Sequence, residues 1–268
     1  MKKQILLALI CFISIRVFGI QYNLGPRITA MGMNSSSIND DYAVSGNPAG
    51  LLAIQSATLT LNYTRSIIDN ELSQETVGLV LPGKNNSLGF VFHRYGISAY
   101  NEITAGTMFA RKFGKHLAIA LRVNYHQIKI QNYGTTNGFS VDIGSIYKLN
   151  DQFSFGIYLN NPTLQDYANK FVKISIDQSI YFGAVYQASD KVIIATTINK
   201  STGLPYNTSF GFEYQFIKSL SLRTGITTAP FRQFAGFGLI YKKLNIDFSI
   251  ESEPFLSYTP QIGIVYAF

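Results

Sequence analysis

From residue 56 onward, apolar and polar side chains alternate with a period of two. Residues 243–251 set Leu244, Ile246, Phe248 and Ile250 on one face and Asn245, Asp247, Ser249 and Glu251 on the other. Residues 209–216 set Phe210, Phe212, Tyr214 and Phe216 against Ser209, Gly211, Glu213 and Gln215. The segments 153–160 and 117–126 behave the same way, the latter placing Leu121 and Val123 opposite Ala120, Arg122, Asn124 and His126. A helix would repeat its apolar positions every three or four residues, so these segments read as strands. A two-sheet sandwich also alternates, but its outer face would be polar. It would not need four aromatic rings in succession on one side.

The punctuation between strands gives their number. Tight polar breaks fall at Pro82–Asn86, Gly114-Lys115, Asn150-Asp151, Ser189-Asp190, Ile217-Lys218 and Lys242-Lys243. Longer connections fall near 66–71, 95–102, 131–138, 160–178, 199–208, 228–232 and 251–257. Six turns and seven loops join fourteen strands. Residues 56–268 then allow about 15 residues per strand and connection, room for a strand of about ten residues tilted across a bilayer. The faces of 102–112 and 192–199 are not oriented by pattern alone.

Composition sharpens this reading. Charged residues are 14%, against about a quarter in ordinary globular chains. Apolar residues reach 47%, with 17 Tyr, 20 Phe and no Trp, which excludes disorder. After residue 19 no apolar run approaches the roughly 18 residues of a spanning helix. The expected fold class is therefore all-β: a transmembrane antiparallel β-barrel of about fourteen strands. Closure follows from solvation, because an open sheet edge in hydrocarbon leaves backbone groups unsatisfied at several kcal/mol each.

Residues 1–19 read as a signal peptide, with Lys2 and Lys3 before the apolar stretch Ile5–Ile15 and cleavage expected after Gly19. The sole cysteine, Cys11, lies in this segment without the small preceding residue of a lipoprotein signal, so the mature chain is expected to hold no thiol or disulfide. Cleavage removes three cations and no acid, lowering the formal charge from +7 to +4. No Lys/Arg run exceeds two residues and no nucleic-acid motif is present. The scattered cations suit outer-membrane lipid headgroups better than nucleic acid.

Residues 20–55 do not alternate. They contain Gly25-Pro26-Arg27-Ile28-Thr29-Ala30-Met31-Gly32-Met33, then Asn39-Asp40-Asp41-Tyr42-Ala43-Val44, then Gly46-Asn47-Pro48-Ala49-Gly50-Leu51. The last strand ends Ile262-Gly263-Ile264-Val265-Tyr266-Ala267-Phe268. Together these resemble the FadL-like outer-membrane barrels, including their PorV and PorQ branch in Bacteroidota. The resemblance implies that residues 20–55 form an N-terminal lumen plug, with an acidic helix and a turn at Asn47, Pro48, Ala49 and Gly50 entering the barrel of 56–268. It implies that Tyr266 and Phe268 are an assembly signal for the barrel-assembly machinery. It also implies a Gram-negative outer-membrane location and a role as accessory or docking component of type IX protein secretion, with a secretion-system barrel or an exported protein as partner. The alternative is a FadL-like channel for a hydrophobic ligand. Only the loop at 160–178 is long, with a modest apolar patch (Tyr167, Phe171, Val172, Ile174, Ile176). Short turns belong on the periplasmic side, so both termini are expected there.

Candidate chemistry is thin. His93 and His126 fall on the lumen face and His116 beside a turn, but no metal-ligand spacing links them, so neither metal nor cofactor is expected. No Gly-x-Ser-x-Gly elbow is present, and His126 has no spacing-matched serine, so no enzymatic activity is expected. Arg122, Asp142, Glu213, Arg223 and Asp247 occupy lumen-facing positions. They could form a selectivity ladder, but pairing with the plug and water is preferred because charges inside a barrel usually pair.

Overall fold

The computed structural model of the chain describes residues 24–66, 71–167, 175–253 and 257–268; the expected signal segment 1–19 lies outside them. Fourteen antiparallel strands close into a barrel. They are β1 (Thr58–Arg65), β2 (Ser73–Pro82), β3 (Asn86–Gly96), β4 (Tyr100–Phe113), β5 (Leu117–Ile130), β6 (Gly134–Lys148) and β7 (Phe153–Asn160), followed by β8 (Ser179–Ser189), β9 (Val192–Ser201), β10 (Asn207–Ile217), β11 (Leu220–Thr228), β12 (Phe231–Tyr241), β13 (Leu244–Glu253) and β14 (Ser257–Ala267). Each strand pairs with the next. The ring closes where Thr58–Thr64 of β1 pair with Gln261–Ala267 of β14.

The period-two pattern sorts onto the two sides of the wall. Phe90, Leu121, Ile157, Phe182, Ile198 and Phe210 are among the large apolar side chains exposed on the exterior, while Ser209, Glu213, Arg122, Asn124, Asp247 and Ser249 are buried in the lumen. That is the inverse of a water-soluble protein, and it suits a barrel whose outer solvent is hydrocarbon. The two strands left unoriented by sequence also resolve. In β4, Thr104, Met108 and Ala110 face inward and Phe109 outward; in β9, Ala195 and Thr197 face inward and Ile194 and Ile198 outward. Their pattern is weak because Met108, Ala110 and Ala195 meet apolar plug residues rather than water.

All six tight turns fall where the polar breaks stand. Several longer connections are shorter than expected: β3 to β4 spans only 97–99, β5 to β6 only 131–133, and β11 to β12 only 229–230. The strands there run on instead, to 14 residues in β4 and β5 and 15 in β6. Pairing with β5 continues through polar residues such as Thr135 and Thr136.

Beside these tall strands, β7 has only 8 residues. It pairs with β6 solely along Ile143–Lys148, so the stretch 134–142 of β6 pairs with β5 but not β7. Among the described residues no strand covers that edge of β6, which leaves a notch in the wall. Described parts of the β7–β8 connection turn inward toward it: Asn161 and Ile176 are buried, and a Cβ on Gly138 would lie 3.1 Å from the Asp166 carbonyl. Phe171, Val172 and Ile174 of the expected apolar patch lie outside the described residues.

Residues 24–55 thread the lumen. Gly25 supplies a φ of 91° before helix α1 (Pro26–Ala30), which starts on a proline whose missing N–H is no loss in a first turn. Turns follow, then a 3-10 helix, Pro48–Ala53, capped by Asn47, whose Oδ1 accepts from the Ala49 N–H at 3.1 Å. The acidic helix expected over 39–44 is absent. Asp40 instead accepts the Tyr42 N–H at 2.9 Å, a short-range turn that competes with helix formation. The Asn-Pro-Ala-Gly turn does not enter β1 directly either, because the 3-10 helix intervenes.

The plugged lumen as candidate functional site

The plug seats directly on the backbone of the wall, and inward glycines make this possible. A methyl group on Gly144 would overlap Asn47, on Gly156 the Ser36 carbonyl, on Gly183 the Ser36 hydroxyl, and on Gly211 the Met31 carbonyl. Gly225 meets Gly32, and Gly236 lies 2.7 Å, Cβ to Cβ, from Ala30. Across nine of the fourteen strands, one inward glycine lies against the plug. An inward side chain at these positions would hold the plug off the wall.

The plug is fastened in two ways. Toward β6 and β7 the fastening is uncharged. The Asn47 amide donates to the carbonyls of Ser36 (2.6 Å), Ser145 (3.1 Å) and Ile157 (3.2 Å), and the whole side chain is buried. Toward β10–β13 it is ionic. Arg27 donates bidentately to Glu213 at 2.8 and 2.9 Å and also reaches Asp40 at 3.3 Å. Arg223 bridges Glu213 and Asp247, and the Tyr42 hydroxyl donates to Asp247 at 2.8 Å. Burial pushes the Asp40 carboxyl up to about 7, while Arg27 draws it down.

A second cluster joins the plug to the notch. Arg122 donates to Asp142 at 2.8 Å, to the Val44 carbonyl at 3.1 Å and to the Tyr158 hydroxyl. Asp142 also accepts from Asn124 (2.8 Å) and from the Asn161 N–H at the start of the β7–β8 connection (3.0 Å). The five lumen charges therefore fall into two clusters: Glu213, Arg223 and Asp247 around Arg27, and Arg122 with Asp142 beside the notch. Arg27, Asp40 and Tyr42 were missed as their partners. The only signal for them was an isolated cation inside the plug motif, 186 residues from Glu213.

Each of the three histidines takes part in hydrogen bonding. His93 shares a hydrogen bond with Thr76 at 2.8 Å, and exposed His116 lies against the Lys148 carbonyl. His126 does meet a serine, Ser140, at 2.8 Å across the β5–β6 ladder, a pairing that spacing could not reveal. Its other ring nitrogen faces Thr104 at 3.1 Å rather than a carboxylate. Both side chains are buried. Among the described residues no group of three His, Cys, Asp or Glu side chains is placed to hold a metal ion. At the closing seam, the Phe268 N–H donates to the Ala57 carbonyl at 2.9 Å, and its ring stands edge-to-face on Tyr266 at 5.1 Å.

Chambers remain on either side of the plug. On the loop side, a chamber of about 220 Å³ is lined by Tyr158, Tyr181, Leu204, Pro205, Leu24 and Met33 together with polar and charged side chains such as Asn160, Asp177, Ser179 and Arg232. It is bounded by Asn160 at the upper end of β7, where the low stretch of wall begins. On the turn side, one cavity of about 350 Å³ lies beside β4–β7 and another of about 230 Å³ beside the ionic cluster.

No protein-family model matches the chain, and a comparison with curated proteins finds no match. Solved structures do share the fold. The Pseudomonas putida toluene transporter TodX is 13% identical, with a TM-score of 0.69 over 93% of this chain and 98% of its own. A deletion mutant described as a TodX monoaromatic hydrocarbon channel is 14% identical at the same TM-score, covering 92% of this chain. A FadL homologue of Pseudomonas aeruginosa is 12% identical, with a TM-score of 0.66 over 94% of this chain and 99% of its own. The architecture is thus FadL-like: a closed fourteen-stranded outer-membrane type of barrel.

Proposed function

We propose that this protein is a non-enzymatic outer-membrane barrel that takes up a small hydrophobic compound. The observation that carries the reading is the loop-side chamber beside β7, where β6–β7 pairing ends at Ile143 and Leu159. A molecule entering that chamber meets a plug seated on nine strands, so the straight route through the lumen is closed. In this reading the compound leaves sideways over the low wall at β7, past the β7–β8 connection that packs against Gly138. The fold shared with TodX and the FadL homologue, proteins named for hydrocarbon or toluene transport and for FadL, supports the same reading. The chamber's volume suits a compact molecule rather than a long polymer. In this reading both termini are periplasmic, and Tyr266 and Phe268 present the assembly signal. The test is accumulation of radiolabelled toluene-sized compounds by cells producing the chain. Filling the chamber with Ser179→Trp should abolish it. Equal accumulation with and without the barrel would end the proposal.

A second reading, docking in type IX secretion, rests on the PorV and PorQ resemblance, the sealed lumen and the short connections. A detergent pull-down that recovers a secretion-system barrel, with secretion lost on deletion, would favour it over uptake.

A further inference from the structure

The two rims of the barrel are charged differently. Each of the six tight turns carries a lysine in the turn or at its edge: Lys84, Lys115, Lys148, Lys191, Lys218 and Lys242. All six are exposed, and Arg111, Lys112 and Lys243 add further exposed cations at the same end. The acids in the turns are Asp151 and Asp190, Asp41 of the plug lines the turn-side cavity with Lys191, and of the six lysines Lys148 is paired, to Asp151 at 2.8 Å between two exposed groups. Among the described residues no ion pair engages the other five turn lysines. At the loop rim, by contrast, cations sit with acids: Arg94 on Glu75 at 2.9 Å and Arg232 on Glu251 at 3.0 Å, with Glu71, Glu102, Asp166 and Asp177 nearby.

Aromatic rings fix the depth of the turn rim. Phe113, Tyr147, Phe216, Tyr241 and Phe268 are exposed on the exterior just inside it. Lys242 lies over the Tyr241 ring at 5.3 Å, and Arg111 over Phe113 at 5.8 Å. Such a girdle marks the membrane–water interface. With the apolar belt in hydrocarbon, the lysines stand at headgroup level around the whole circumference.

We infer that the turn-side rim is a binding surface for anionic glycerophospholipid headgroups, engaged by the lysine ring. The charge complementarity is one-sided, because the loop rim neutralises its own cations and the turn rim does not. An unpaired lysine at headgroup depth favours an anionic lipid by roughly fivefold at low salt. The effect fades as salt shortens the Debye length to several ångströms. This inference needs the barrel to lie in a membrane but does not depend on what it carries.

The experiment places the full chain in nanodiscs of equal parts phosphatidylcholine and phosphatidylglycerol and counts retained lipids by native mass spectrometry. Phosphatidylglycerol should be retained several-fold over phosphatidylcholine, and raised NaCl should erase the difference. A sextuple Lys→Gln variant at the six turn positions should lose the preference. A loop-side variant, Arg65→Gln with Lys129→Gln and Lys200→Gln, should keep it. Should the sextuple variant fail to fold, the double variant Lys218→Gln/Lys242→Gln and the salt titration carry the test, the double variant showing a partial loss. An absent preference, one that survives in every turn-side variant, or one that disappears with the loop-side cations overturns the inference. So does competition in which lipid A phosphates displace phosphatidylglycerol from the turn rim.

Discussion

The plug is held by opposite chemistries on its two sides. Against β6–β8 it is anchored by backbone carbonyls, one buried asparagine and glycines that let main chain touch main chain. Against β10–β13 it is anchored by Arg27, Glu213, Arg223 and Asp247. The first side depends on shape, and any added atom is refused. The second depends on charge, where the penalty arises when one partner loses the other. The uncharged side is also the side of the notch, so the proposed exit runs beside the anchor and past the Arg122–Asp142 pair.

The largest expected break is on the shape side. Gly156→Val would drive two methyl groups into the Ser36 carbonyl region, and the plug and wall cannot both keep their places. Loss of the heat-modifiable folded band on unheated gels should report it, while Ile157→Val on the exterior should leave that band intact. Next is Glu213→Gln on the charge side, which leaves Arg27 and Arg223 competing for Asp40 and Asp247. Breaking a buried pair costs about 3–5 kcal/mol, read as a lower urea midpoint in detergent micelles. A double-mutant cycle with Arg27→Ala should show strong coupling; additive effects would mean the two sides are not distinct. Asn47→Ala should cost about 1–3 kcal/mol through unsatisfied carbonyls. Asn47→Asp should be worse than alanine, since a carboxylate cannot donate to three carbonyls; the reverse order would refute the assigned orientation of the amide.

The smallest change should come from Asp40→Asn, because burial and Arg27 pull that carboxyl in opposite directions. Its signature is in pH dependence. The folded-state value near 7 lies above the ordinary aspartate range, so the native state holds a proton that the unfolded state releases. This contribution to stability is present at low pH and is lost as pH rises from the ordinary aspartate range through about 7. Midpoints in wild type should fall across that window, and Asp40→Asn should flatten the fall.

The wall was legible in the chain because each strand is a local object. The alternation in 209–216 and 243–251, and the breaks at Gly114-Lys115 and Lys242-Lys243, record which face meets hydrocarbon and where a polar turn must sit. Strands β4 and β9 blurred for a definite reason: their inner faces meet Leu51, Met31 and Ile38 of the plug, so inside is as greasy as outside. The lumen charges could be placed on a face but not paired, since Arg27 and Glu213 meet only after the ring closes. Ser140 was invisible as the neighbour of His126 for the same reason, because strand register decides it.

The sequence by itself determined the solvent of most strand side chains, hence the fold class, the strand number and the tight turns, because hydrocarbon and water impose their preferences residue by residue. Only the tertiary structure decided the height of the wall at β7, the glycine seats beneath the plug, and which acid each arginine holds. Those depend on distances between strands far apart in the chain, set by register and curvature, and a one-dimensional pattern does not contain them.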